Sequence, residues 1–176
     1  MARVPLIDES DDAETQTLID TLKKGRRGSL LGIYKALLHN SKLAGTWFAH
    51  LNAVRWETTL SGRLREILII RIGWRLQSAY IMKQHIPKLA EPEGLSAADC
   101  RMLMSEDVGD TFSEAERAAI NAADELTLRA KLSDGAATVL KAFYDDRAVV
   151  EIVVLIGTYN MHARFVAGLD IELEKD

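Results

Sequence analysis

The segment "EILIIRIGWRLQSAYIMKQH", residues 66–85, opens with a carboxylate and closes with an imidazole. Glu66 stands before four aliphatic residues. Apolar surroundings push a carboxyl pKa up, which suits a group that carries a proton near neutrality. His85 titrates near physiological pH and is a ready general acid or base. Ser78 and Tyr80 supply hydroxyls on the approach to His85. Arg71 and Arg75 lie one turn apart and could grip a substrate carboxylate. Together with Trp74 and Ser78, they are the candidates for binding substrate, and Glu66, His85 and Tyr80 are the candidates for catalysis. Each residue also has a plainer reading. Glu66 could pair with Arg63, Arg65 or an arginine of another helix, Ser78 could cap a helix, Tyr80 could fill the core, and the two arginines could make salt bridges across a subunit interface.

The positions must first be brought together. On one unbroken helix Glu66 and His85 would stand about 28 Å apart and could share no substrate. They meet only if the chain breaks and folds back. Ser78 offers the break, because serine is a strong N-cap. A first helix would end near Gln77 and a second would start at Ser78, with residues 81, 82 and 85 on one face. On the first helix Gly73 lies about 20° from Glu66 and two turns on, where a missing side chain would leave room above the carboxylate.

The rest of the chain reads as helices. Residues 1–12 are an acidic, extended lead-in, and one helical domain covers 13–176. Residues 13–24 look helical, "GRRGS" is a loop, and Ser29 could cap "LLGIYKALLHN". Asn40 or Ser41 could cap the helix carrying Leu43, Trp47, Leu51 and Val54. After His85 the helix should continue to about Ala90, with Pro87 as a kink. Ser96 caps "AADCRMLM", and Ser113 with Glu116 forms a capping box. "LSDGAATVLKAFYDD" and "RAVVEIVVLIGTYNMHARFVAGL" complete the series. No strand is expected, although the β-branched runs at 67–72 and 149–156 are ambiguous. "REILIIRIGW" and "VEIVVLIGTY" echo each other, aligning Glu66 with Glu151 and Trp74 with Tyr159. Duplication of a helical hairpin is one account of the echo and convergence is the other. Both helices are apolar nearly all round, which suits a bundle core or a subunit interface.

The chain has 176 residues, with 48% apolar and 27% charged, as in an ordinary soluble domain. Its net charge of -4 and pI near 5.6 supply no dominant basic patch, so no nucleic-acid partner is expected. The N-terminus lacks an apolar signal core. The longest apolar runs are interrupted by Arg71, Arg75, Asn160 and Arg164, so no membrane span is expected and the location is taken as cytoplasmic. One cysteine, Cys100, excludes an internal disulfide and a CxxC redox pair. His162 and Glu151 share a helix face but would stand about 16 Å apart, too far to hold one metal, and no metal site is expected.

The Glu…Ser-x-Tyr…His spacing, the "GLSAAD" that follows and the terminal "VEIVVLIGTYNMHARF" resemble the carboxymuconolactone decarboxylase family, which includes alkylhydroperoxidase D-like proteins. "GIYKALLHNSKLAGTW" is similar to that family's lead-in helices. The resemblance covers most of residues 30–170. It implies an all-α fold, an orthogonal helical bundle of the alkylhydroperoxidase D-like type, assembled as a homotrimer or homohexamer. In the peroxidase branch this segment carries Glu, Cys-x-x-Cys and His. Here Glu66 and His85 match, while Ser78 and Ile81 occupy the two cysteine positions, so thiol peroxidase turnover is chemically unavailable. The decarboxylase branch carries a Tyr-x-Gly-x-Pro-Ala-Ala run where this chain has "TYNMHARF". The chain thus resembles a cysteine-free side branch.

The resemblance implies lyase or isomerase chemistry on a small carboxylated lactone or a related metabolite of aromatic-compound degradation. His85 or Tyr80 would supply the proton that quenches the carbanion left by carbon dioxide. No cofactor is needed, because the substrate carbonyl accepts the electrons. The alternative is a non-catalytic oligomer that binds a small ligand on the same fold. A peroxidase-related protein acting through Cys100 comes third.

Overall fold

The structure, a computed structural model, describes residues 1–25 and 28–173, with Pro87 and Lys88 described by backbone alone. Arg26 and Arg27 of the expected "GRRGS" loop lie outside the described residues. All regular structure among the described residues is helical, with nine α-helices and no strand. They are α1 (Ala13–Lys24), α2 (Gly32–Leu37), α3 (Ser41–Trp56), α4 (Gly62–Arg75), α5 (Ala79–His85), α6 (Ala97–Leu103), α7 (Glu114–Arg129), α8 (Asp134–Phe143) and α9 (Asp146–Gly168). The β-branched runs are resolved as helix because both lie inside long capped segments that satisfy their own backbone.

The chain forms two compact units. One comprises residues 1–53 and 165–176. In it the Asp12 carboxylate accepts from Thr15 N at 2.8 Å and starts α1, while Ile19 and Leu22 are fully buried. Tyr34 meets Phe48 edge-on at 5.8 Å, and Trp47 packs on Phe165 at 5.2 Å. Ser29 does not cap α2. The helix starts two residues later, behind Leu31, with no side-chain cap. Asn40 does cap α3, its Oδ1 accepting from Leu43 N at 3.1 Å.

The other unit, residues 54–164, is built around α4. Ser61 Oγ accepts from Leu64 N and starts the helix, and every residue from Leu64 to Gly73 is buried. Leu68, Ile69 and Ile72 face a cluster with Ala119, Ala122 and Ala123 of α7 and Ile152, Leu155, Ile156 and Tyr159 of α9. Ile67 and Ile70 face a second cluster with Leu95, Cys100, Leu103 and Phe112. Each such aliphatic side chain contributes about 1.5–3 kcal/mol on burial. The all-round apolar pattern therefore makes α4 a central helix. α9 is also long and apolar enough to cross a membrane by length and composition, and it buries Ile152, Leu155, Ile156 and Ala163 in the first cluster.

α4 ends where the serine cap requires. Gln77 takes a left-handed φ of 52°, Ser78 N donates to Gly73 O at 2.8 Å, and Gln77 N donates to Trp74 O at 3.0 Å. These two bonds satisfy the last carbonyls of the helix in a Schellman closure. Ser78 Oγ then accepts from Ile81 N and starts α5. The helix expected to run on to Ala90 instead ends at His85, and a π-helical turn over Ile86–Ala90 follows. Proline has no N–H for the α-helical ladder, so the wider turn falls at Pro87. Ser96 and Ser113 both make full capping boxes.

Gly73 does not leave an open space above Glu66. A Cβ there would stand 2.8 Å from Ile81 Cγ2 and 3.0 Å from Met82 Sδ. The missing side chain lets α5 pack tightly on α4. Met82 can yield by rotation, but the β-branch of Ile81 is stiff. Gly73→Val is expected to destabilise the protein by about 1–3 kcal/mol through overpacking. Urea unfolding checks this, and an unchanged midpoint would contradict so close an approach.

Candidate functional site

The break at Gln77–Ser78 turns the chain so that α5 packs on α4. His85 Nδ1 then lies 2.5 Å from Glu66 Oε2, with the side chains 7% and 1% exposed. The second carboxylate oxygen, Oε1, accepts from Arg55 Nη2 at 3.3 Å. Arg55 Nη1 also donates to the Tyr159 hydroxyl at 3.1 Å. Tyr159 meets the His85 ring edge-on at 5.6 Å and stacks on His162 at 5.8 Å. Tyr80 meets the His162 ring at 6.0 Å, tilted by 43°.

Burial alone would raise the Glu66 carboxyl, but the His85 hydrogen bond, with the charges of Arg55 and Arg65, outweighs it and holds the group below its ordinary value. Burial also pushes the His85 imidazolium down below the ordinary histidine value, and this outweighs the opposing pull of Glu66. The pair therefore sits as carboxylate and neutral imidazole. A carboxylate only accepts hydrogen bonds, so Nδ1 carries the proton and donates to Oε2. The lone pair is then on Nε2. This arrangement can take up a proton at Nε2, with Glu66 stabilising the imidazolium.

The remaining candidates go elsewhere. Arg71 does not face this pair. It donates to both oxygens of Asp124 at 2.7 and 2.6 Å, and to the carbonyls of Leu103, Ser105 and Glu106. Arg75 forks onto the same carboxylate at 3.0 and 2.7 Å and reaches Glu106. Trp74 is held between the two guanidinium groups, 4.7 and 4.5 Å from its ring centre. Burial would raise Asp124, but the hydrogen bonds and charges of Arg71 and Arg75 prevail and depress it. This is an ion-pair clamp between α4 and α7 in one chain. Both guanidinium forks are thus taken up by Asp124. Ser78 serves as the cap of α5. Tyr80 meets the ring of His162, which stacks on Tyr159 beside His85, and the second oxygen of Glu66 is met by Arg55. Glu151, aligned with Glu66 in the sequence echo, bonds Thr59 and Arg147 rather than any histidine.

Sequence reasoning missed Arg55 and Tyr159 as neighbours of the pair. Arg55 ends α3, and an irregular stretch separates it from α4, so helical spacing carries no signal. Cys100 is buried in the second cluster, and its thiol is pushed up by burial. No group of three or more His, Cys, Asp or Glu among the described residues could hold a metal.

The depressed groups fix the sign of the acid response. Below the ordinary histidine value of 6.5, the unfolded chain takes up the His85 proton before the folded one does, so stability falls with pH there. Glu66 contributes stability above 4.5 that is lost as pH falls through its lower folded value. Unfolding free energy measured against pH should slope downward below 6.5 in the wild type. His85→Gln should flatten that part while the deeper acid limb persists. A wild type that gains stability on acidification through this range would show a charged His85.

Residues 41–125 match the model described as the carboxymuconolactone decarboxylase family. No curated protein matches the sequence. Among solved structures, an uncharacterized peroxidase-related protein from Silicibacter sp. TM1040 is similar at a TM-score of 0.83 and 19% identity, over 98% of this chain and 92% of that one. The debrominase Bmp8, in complex with 2,3,4-tribromopyrrole, is similar at 0.80 and 18%, over 99% and 94%. An uncharacterized peroxidase-related protein with an alkylhydroperoxidase AhpD core, from Ralstonia eutropha JMP134, is similar at 0.80 and 14%, over 99% and 93%. At these identities the likeness establishes the fold. The matched segment is thus similar to the carboxymuconolactone decarboxylase family, and the fold is of the AhpD-like type.

Proposed function

We propose that the protein performs acid–base chemistry, as a lyase or isomerase, on a small carboxylated lactone or related metabolite of aromatic-compound degradation. The observation that carries this reading is the buried contact between Glu66 and His85, which leaves a lone pair on Nε2. Nε2 would take a proton from a carbon next to the substrate carbonyl, and the C–H electron pair would pass to the carbonyl oxygen as an enolate. Returning that proton to another carbon gives isomerisation. If His85 first takes a proton from solvent, loss of carbon dioxide leaves its bond pair in the enolate, and the imidazolium protonates the carbon. The substrate carbonyl holds the electrons in both cases.

Thiol peroxide chemistry has little support in this chain. The single cysteine is buried, and burial disfavours its thiolate. Ligand binding without turnover is the second reading, favoured by the near-complete burial of Glu66 and His85. Proton exchange separates the two. In deuterated water, candidate lactones and unsaturated acids should exchange a C–H next to the carbonyl with wild type, as followed by proton NMR. His85→Gln should lower that rate by at least about a hundredfold. A compound that binds and does not exchange would leave the binding-protein reading in place.

The same proposal includes a cytoplasmic homotrimer or homohexamer acting on a small molecule, with neither nucleic acid nor membrane as partner. Val150, Val153, Val154 and Met161 form an exposed apolar line on α9, which supports association. Sedimentation should show a trimer or hexamer at micromolar concentration, and a monomer would remove the claim.

A further inference from the structure

We propose that Arg55 and Arg65 form the seat for the substrate's carboxylate beside the Glu66–His85 pair, and that the Glu93 carboxylate holds this seat until an anion displaces it. This rests on the acid–base reading and names the group by which the substrate would be held.

Arg65 is 7% exposed, and its Nε is buried with no hydrogen-bond partner. Its Nη2 reaches Glu93 Oε1 at 3.4 Å. Arg71, on the same helix and also buried, shows how this fold treats a structural arginine. Both of its forked nitrogens reach Asp124, and carbonyls take the remaining donors. A buried guanidinium with an unmet donor is costly and calls for a ligand. Arg55 bonds Glu66 at 3.3 Å and the Tyr159 hydroxyl at 3.1 Å through different nitrogens, neither contact being a bidentate fork on a carboxylate.

The two guanidinium groups share one cover. Arg55 and Arg65 place Cζ 5.0 and 5.1 Å from the ring centre of Trp56, which is itself 61% exposed. Displacing that one indole would open both groups to solvent. The Glu93 side chain is 35% exposed, on a short turn ending at the left-handed Gly94. Its carboxylate lies in the space that Gly62 leaves, where a Cβ would fall 1.6 Å from Oε2. A carboxylate thus already fits this place, through a long contact that solvent can break. When it swings out, two buried positive charges face the one charge of Glu66, and an incoming carboxylate restores the balance.

The probes are benzoate and its neutral isostere benzamide, titrated calorimetrically into the full-length protein. Benzoate should bind and benzamide should not. Arg65→Gln should weaken benzoate by at least about tenfold. Glu93→Gln should strengthen it, and this variant keeps the test open if Arg65→Gln fails to fold. Equal binding of the two probes, no benzoate binding, or a Glu93→Gln variant no tighter than wild type would overturn the seat. His85→Gln distinguishes this from the acid–base reading. If it keeps Arg65-dependent benzoate binding but loses proton exchange, both stand. If exchange survives in it, the seat stands and the acid–base reading falls. If exchange is lost in it while benzoate binding to the wild-type framework ignores Arg65, only the seat falls.

Discussion

A carboxylate with 1% of its side chain exposed governs the rest of this molecule. Leaving Glu66 ionised in an aliphatic helix without partners would be prohibitive. The fold answers with an imidazole on one oxygen and a guanidinium on the other. Each partner sets a demand of its own. His85 reaches Glu66 only if α4 stops at Gln77, and Arg55 reaches it only from the end of α3. Tyr159 on α9 then closes around Arg55 and His85 together. The end of α3 and the break after α4 can be understood as the means of bringing two groups to one buried carboxylate.

The arginines on α4 show how the same residue type is put to different uses. Arg71 and Arg75 share Asp124 in forked bonds and fasten α4 to α7. Removing one partner of such a buried set costs about 3–5 kcal/mol, because the other charge is stranded. Arg65, one and a half turns earlier, has a long contact and an unmet donor instead. The contrast is between charges fixed to hold a fold and a charge left able to bind something else.

Much of this was legible in the sequence because it is encoded locally. Ser78 signalled the break, since an N-cap acts within three residues. Ser96 and the Ser113–Glu116 box were readable for the same reason. The meeting of Glu66 with His85 followed once the break was placed. Long-range pairing was not legible. Asp124 lies 53 positions from Arg71, and nothing in periodicity joins them. Arg55 was hidden by the irregular residues before α4. Ser29 had the right chemistry for a cap, but the helix began behind Leu31. The π turn after His85 was only partly visible, because Pro87 predicts a disturbance without saying which kind.

The two compact units differ in how the chain supplies them. Residues 54–164 are contiguous, and serines at 61, 78, 96, 113 and 133 each cap a helix within it. Such a stretch can organise as it leaves the ribosome, each boundary set by residues already made. The other unit draws on residues 1–53 and again on 165–176, so its interior, with Trp47 against Phe165, closes only when synthesis has passed the end of α9. The buried acid–base pair would therefore be assembled first, and the earliest-made helices would wait for the last-made ones to complete their core.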